Sequence, residues 1–224
     1  MLMTEEAPLC NLYKLKSAIQ ESADLFSARL PVAYNAPEEV YPGYPGLVVR
    51  EHEGARVIEQ MTWGFPVRLK GMKPTSKPKP VNNARDDKLL TPFWKHWFTT
   101  PAQRCLIPFT AFAEAEGPKG KMTRTWISVA DQPTAAWAGL WRPSDEWGDC
   151  YTGVMVDATE ELFDIHDRMP VILHPDEHDA WLNAPAEEAM ALVRKYPAGR
   201  LVVERTDVPW FKARAKPVEG ATLI

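Results

Sequence analysis

The chain has no apolar run approaching the ~20 residues that cross a bilayer as a helix, so no membrane-spanning helix is expected. Residues 1–9 carry Glu5 and Glu6 and lack a basic patch followed by an apolar stretch, so no secretory signal is expected. Cysteine is scarce. Cys10, Cys105 and Cys150 are an odd number that cannot all pair within one chain, and a reducing cytoplasm is the expected setting. G-x-G-x-x-G, the Walker sequence and the Gly-x-Ser-x-Gly elbow are all missing, which removes the motif-based case for dinucleotide, P-loop or serine-hydrolase chemistry. His174 and His178 are spaced i, i+4, but no cysteine pair or obvious third ligand accompanies them, so neither metal nor cofactor is expected.

Net positive charge is also missing: the chain sums to −4. That average hides a gradient. Residues 61–125 hold twelve Lys/Arg against four Asp/Glu, while the remainder holds fourteen basic against twenty-six acidic residues. A basic middle in an acidic protein suits one face that meets a polyanion, and equally suits a solvated lysine-rich loop.

What is present reads as a single α+β domain with a twisted, mainly antiparallel sheet or open β-barrel and peripheral helices. Residues 16–30 have near-helical apolar spacing. Residues 34–46 are too rich in Pro and Gly for regular structure. Strand patterns follow at 47–51, 56–65, 105–114, 125–130, 135–141, 151–158, 169–173 and 201–204. Residues 66–82, with Pro66, Pro74, Pro78 and Pro80 among lysines, read as an exposed, mobile loop. Thr91-Pro92 opens a short helix, and further helices are expected at 175–183 and 186–196.

Polar groups that strand burial does not explain occur in four places: Cys10 in Leu9-Cys10-Asn11-Leu12-Tyr13, Asn83 in Asn82-Asn83-Ala84-Arg85, Glu114 at the end of the apolar run 105–113, and His166 in Ile165-His166-Asp167-Arg168-Met169-Pro170. Each has an ordinary explanation: a buried thiol, a turn cap, a strand end, a loop ion pair with Asp164 or Asp167. Together they supply a nucleophile, an amide, a carboxylate and an imidazole, which is the inventory of covalent catalysis. Cys105 and Cys150 lie in apolar strand runs and read as core. Trp63, beside the basic loop, is the candidate for a surface aromatic that stacks on a base.

These places, in this order, resemble the SRAP family, named for SOS response-associated peptidases, whose members crosslink to abasic sites in DNA. The landmarks are Cys10-Asn11-Leu12-Tyr13, Trp63-Gly64-Phe65, Asn83-Ala84-Arg85, Arg104 to Pro108 with Phe112-x-Glu114, and Ile165 to Pro170, spread from Cys10 to about Val203. The resemblance implies an SRAP-like domain over residues 10–224, preceded by an extension of residues 1–9 that is absent or removed in the active form. It implies an abasic-site sensor in the DNA damage response that binds single-stranded DNA as a monomer, away from membranes. The α-amine of Cys10 would condense with the ring-opened aldehyde and its thiol would close a thiazolidine, with Asn83 orienting the sugar or Cys10, Glu114 moving protons and His166 opening the sugar ring. Arg85, Arg68, Lys70, Lys88 and Arg168, with Trp63, would hold the strand.

The chain departs from the family in several places. The family often begins Cys-Gly-Arg, where this chain has Asn11 and Leu12; Thr110-Ala111 replaces Asp-Gly, and Ala113 and Ala115 flank the glutamate. While residues 1–9 are attached, the Cys10 nitrogen is an amide that forms no imine. Initiation at Leu9 or self-removal of residues 1–9 would each release it. The alternatives are a thiol autopeptidase that stops at that cleavage and a non-enzymatic single-strand-binding module.

Overall fold

The computed structural model describes residues 10–30, 33–68, 71–73 and 75–210. Their strands are β1 (Tyr13–Lys14), β2 (Glu39–Val40), β3 (Pro45–His52), β4 (Ala55–Trp63), β5 (Phe65–Val67), β6 (Lys79–Val81), β7 (Asn83–Arg85), β8 (Arg104–Phe109), β9 (Ala111–Glu116), β10 (Thr123–Val129), β11 (Ala135–Arg142), β12 (Cys150–Asp157), β13 (Arg168–Pro170), β14 (Ile172–Leu173) and β15 (Leu201–Pro209). The α-helices are α1 (Ile19–Phe26), α2 (Lys95–Thr99), α3 (His178–Asn183) and α4 (Ala186–Ala191).

The strands form a smaller sheet ordered β15-β10-β9-β1-β2 and a larger one ordered β13-β12-β4-β3-β8-β11-β14. Only the pairings of β12 with β4 and β7 are parallel, which gives the mainly antiparallel α+β architecture. Tyr13, Val40, Phe112 and Ile127 from the smaller sheet meet Val48, Met61, Trp63, Ile107, Trp137 and Tyr151 from the larger one in a dry core. The opposite face of the larger sheet packs on the helices through Val49, Ile58, Leu106, Ala138 and Val154 against Phe26, Phe98, Trp181 and Leu182.

Period-2 alternation dictates this split. Along β12, Cys150, Val154 and Val156 face the helices, whereas Tyr151 and Met155 face the smaller sheet.

Strand β12 organises the site. Along its length it pairs with β11 and β4, then with β7 (Gly153 opposite Asn83), then with β13 (Asp157 opposite Arg168). Gly153 is required there, because a Cβ would fall within the Trp137 ring.

Several elements differ from the sequence reading, each for a local reason. The run 105–114 is two strands broken at Thr110, where the chain passes from the larger sheet to the smaller. The Thr110 amide and hydroxyl both donate to the Lys14 carbonyl at that crossing. Residues 66–82 are not simply a loop: β5 and β6 pair, with Pro66 opposite Pro80. Proline is tolerated in this isolated two-stranded ribbon because its missing N–H breaks no further ladder. The first helix is confined to Ile19–Phe26, ended by Ser27 in the left-handed region at φ 51°. The run 169–173 is interrupted at Val171, whose amide donates to Val154 and whose carbonyl accepts from Ala138. The helix expected over 186–196 stops at Ala191, and the last strand runs to Pro209 rather than Glu204. No helix among the described residues is long and apolar enough to cross a membrane.

Candidate active site

Cys10 leads into β1, which lies between β9 and β2, so the start of the described chain is held in the smaller sheet. The Leu12 carbonyl accepts from the Ala113 amide, which brings Cys10 alongside the Glu114 strand. Glu114 shares its strand face with Phe112 and points into the space between the sheets, where it is almost completely buried. Asn83 enters from β7, and His166 from the turn ahead of β13.

The Cys10 carbonyl oxygen accepts two hydrogen bonds, from Asn83 Nδ2 at 2.8 Å and from Asn82 Nδ2 at 2.9 Å. Its thiol donates weakly to the Leu12 carbonyl at 3.7 Å. Burial, then the Glu114 charge, pushes the Cys10 thiol well above its ordinary range. Glu114 is likewise pushed well up by burial, with the Asp167 charge adding to it and the Cys10 thiol opposing it. Both groups therefore favour their protonated forms.

His166 is nearly buried, and its Nδ1 accepts from the Arg168 backbone amide at 2.9 Å. The same nitrogen stands 3.2 Å from an Asp167 carboxylate oxygen, which would accept from Nδ1 of the protonated ring. Asn83 Oδ1, Glu114 Oε1 and His166 Nε2 are all buried without a hydrogen-bond partner in the protein. Stranding such atoms is costly; Ser22, Gln103, Arg104, Arg124, Thr152, Thr159 and His178 carry others, and Asn83 and Glu114 are the two that stand against Cys10.

The expected strand-binding residues divide differently. Trp63 is a correction: it is fully buried in the core between the sheets, stacked beside Tyr151, and its indole N–H is spent on the Asn82 carbonyl at 3.0 Å. The basic loop beside it in sequence suggests a surface position, but the alternation of β4 turns it inward. Arg168 is drawn into the protein, with Nη1 at 2.7 Å from Asp86 and 3.3 Å from Asp157. Arg85 and Lys88 lie at the surface beside Asp87, at 3.1 Å and 3.3 Å. Arg68 pairs with Glu146 at 2.8 Å and donates to the Ser76 carbonyl, bracing the β5–β6 ribbon. Lys70 lies outside the described residues, as do residues 1–9.

Asn82 escaped the sequence reading as a site residue; the Asn-Asn doublet ahead of a strand was its only signal. The two spaced histidines serve the fold. His174 caps the turn before α3, and His178 stacks on Phe26, pushed down to about 4 by burial and then by the Arg56 charge.

Residues 9–208 match the SOS response associated peptidase (SRAP) family. The chain is 28% identical over 185 residues to the abasic site processing protein HMCES of Gallus gallus, covering 67% of this chain and 55% of that protein. The match thus spans little more than half of the avian protein. It is 27% identical over 190 residues to the abasic site processing protein YoqW of Bacillus subtilis, covering 78% of this chain and 80% of that one. A solved structure from Bordetella bronchiseptica, 27% identical, superposes with a TM-score of 0.74 over 88% of this chain and 99% of its own. A Bacteroides thetaiotaomicron structure at 17% identity shares the fold, with a TM-score of 0.74 over 88% of this chain and 91% of its own.

Proposed function

Because the chain belongs to the SRAP family, we propose that it is an abasic-site sensor that crosslinks to single-stranded DNA through Cys10 and so shields the lesion. The observation that carries this reading is Asn83 on the Cys10 carbonyl and Glu114 facing the Cys10 thiol, each with a buried oxygen left unpartnered. The active form begins at Cys10, and its site of action is the cytoplasm. The family match starting one residue ahead of Cys10 is in keeping with that.

The chemistry balances around one glutamate. With His166 as an imidazolium, its Nε2–H protonates the ring oxygen of the sugar while the anomeric hydroxyl gives its proton to water and the hemiacetal opens to the aldehyde. An α-amine has a pKa near ~7.7–8.0, so an appreciable fraction is free to attack the aldehyde carbon at neutral pH. The resulting carbinolamine loses its hydroxyl as water, using the proton that burial keeps on Glu114. The protonated imine is then attacked by the Cys10 sulfur. The thiol proton passes to the Glu114 carboxylate, which restores the acid, and the new C–S bond closes the thiazolidine. One water leaves per adduct. Asn83 Oδ1 is free to accept from a sugar hydroxyl, and Arg85 and Lys88 are placed at the surface to meet phosphates.

The test is a denaturing gel with an abasic single-stranded oligonucleotide, run with protein that starts at Cys10 and with protein shown by intact mass to retain residues 1–9. An adduct is expected from the first alone, and Cys10→Ala abolishes it. An adduct from the longer form, or none from the shorter, overturns the reading.

A further inference from the structure

Resting on that reading, we infer that Asn82 is a positioning residue that locks the reactive Cys10, leaving Asn83 free to face the substrate. The two asparagines are adjacent in sequence and converge on one oxygen. Both lone pairs of the Cys10 carbonyl are taken, by Asn82 at 2.9 Å and Asn83 at 2.8 Å. A single donor lets a peptide plane pivot about the hydrogen bond, whereas two donors fix its rotation. The Cys10–Asn11 plane sets where the Cys10 nitrogen and sulfur stand relative to Glu114.

The asparagines differ in what they have left over. Asn83 keeps a buried Oδ1 with no partner in the protein. Asn82 spends its Nδ2 and its backbone carbonyl inside the protein: Nδ2 also donates to Asn11 Oδ1 at 3.1 Å, and the carbonyl accepts from Trp63 Nε1 at 3.0 Å and the Gly153 amide at 3.1 Å. Trp63 and Gly153 therefore fix the Asn82 backbone just as Asn82 and Asn83 fix Cys10. Neither support can move easily, since Trp63 is fully buried and Gly153 lies flush against the Trp137 ring. The clamp thus runs from the aromatic core through Asn82 to the nucleophile. Asn11, which stands where the family often has glycine, closes it from the nucleophile's own side.

Positioning of this kind acts on the chemical step and leaves affinity alone. With protein beginning at Cys10, Asn82→Ala should lower the crosslinking rate at saturating abasic DNA by about tenfold or more, because small misplacements of a nucleophile are costly. Its dissociation constant for the same oligonucleotide without the lesion should stay within about twofold, since no phosphate contact is removed. Asn82→Asp, which keeps the shape but offers oxygens to two acceptors, should be at least as slow. Asn11→Ala leaves the Asn82 backbone contacts intact and guards against a folding defect; it should slow crosslinking less, and its effect should not add fully to that of Asn82→Ala. A saturated rate for Asn82→Ala or Asn82→Asp close to wild type, a loss confined to affinity, or an Asn11→Ala rate equal to wild type overturns the clamp. Wild-type protein that forms no adduct overturns the crosslinking function itself, which separates the two failures.

Discussion

The Arg168 backbone amide meets Nδ1 of His166 at 2.9 Å, with an Asp167 carboxylate oxygen 3.2 Å from the same nitrogen, while Nε2 is buried and unpartnered. Contacts at Nδ1 leave Nε2 as the nitrogen open to substrate, and as an imidazolium it supplies the proton that ring opening demands. His166→Gln retains an N–H near the Nε2 position but transfers no proton. It should slow adduct formation on an abasic site by on the order of a hundredfold. On an acyclic aldehyde lacking the sugar ring oxygen the defect should largely disappear, because no ring has to open. An equal defect on both substrates would assign His166 to a later step.

Glu114 gives a pH signature with a definite sign. An unfolded glutamate releases its proton near 4.5, while burial holds the folded Glu114 well above that. Between those values the folded chain binds the extra proton, so stability is greatest below the unfolded pKa and declines as pH rises toward the folded one. Glu114→Gln abolishes this penalty. The variant should melt above wild type at about pH 7.5 and coincide with it near about pH 4. It should also crosslink slowly and lose the alkaline fall in rate that deprotonation of the acid imposes on wild type. Calorimetry and rates across that range check both halves.

Local pattern carried part of this site and tertiary contact the rest. Cys10, Asn83, Glu114 and His166 stood out because each is a polar group where strand burial predicts none, and motif order tied them together. The α+β class followed from short alternating runs and turn residues. Trp63 was misplaced because its neighbours in sequence are a basic loop, whereas its neighbours in space are Tyr13, Trp137 and Tyr151. The break at Thr110 was invisible because the residues on either side are apolar in both sheets. Asn82 gains its role only from segments 72 residues apart in sequence that β7 and β1 bring together.

Arg168 and Arg85 should separate under mutation, although both were expected to hold the strand. Arg168 is mostly buried between Asp86 and Asp157 and ties the Asp86–Lys88 turn to β13. Removing it takes the cation from Asp86, which water still reaches, and loses the packing of its own stem, so Arg168→Gln should cost about 1 kcal/mol in urea unfolding. Arg85 is partly buried beside the more exposed Asp87, and Arg85→Ala should cost less stability than Arg168→Gln. Its effect belongs in DNA affinity, where the slope of log K against log salt should flatten by about 0.7, the value for one phosphate contact on a single strand. A salt-slope change for Arg168→Gln without loss of stability would reverse the assignment.

Gly153 tests whether the core beneath the site sets the geometry above it. An added Cβ would collide with the Trp137 ring, whose Nε1 is held by the Val154 carbonyl at 2.7 Å, so the ring cannot simply swing aside. Relief must come from β12, whose Gly153 lies opposite Asn83 and whose amide holds the Asn82 carbonyl. Overpacking of this kind costs about 1–3 kcal/mol, and Gly153→Ala should lose that much stability. A core that was only scaffolding would leave the crosslinking rate intact wherever the variant is still folded. Because the strain is relieved through β12, which pairs with Asn83 and holds the Asn82 carbonyl, the folded fraction of Gly153→Ala should instead crosslink measurably more slowly at saturating DNA. Rates corrected for folded protein, taken below the melting transition, decide between the two.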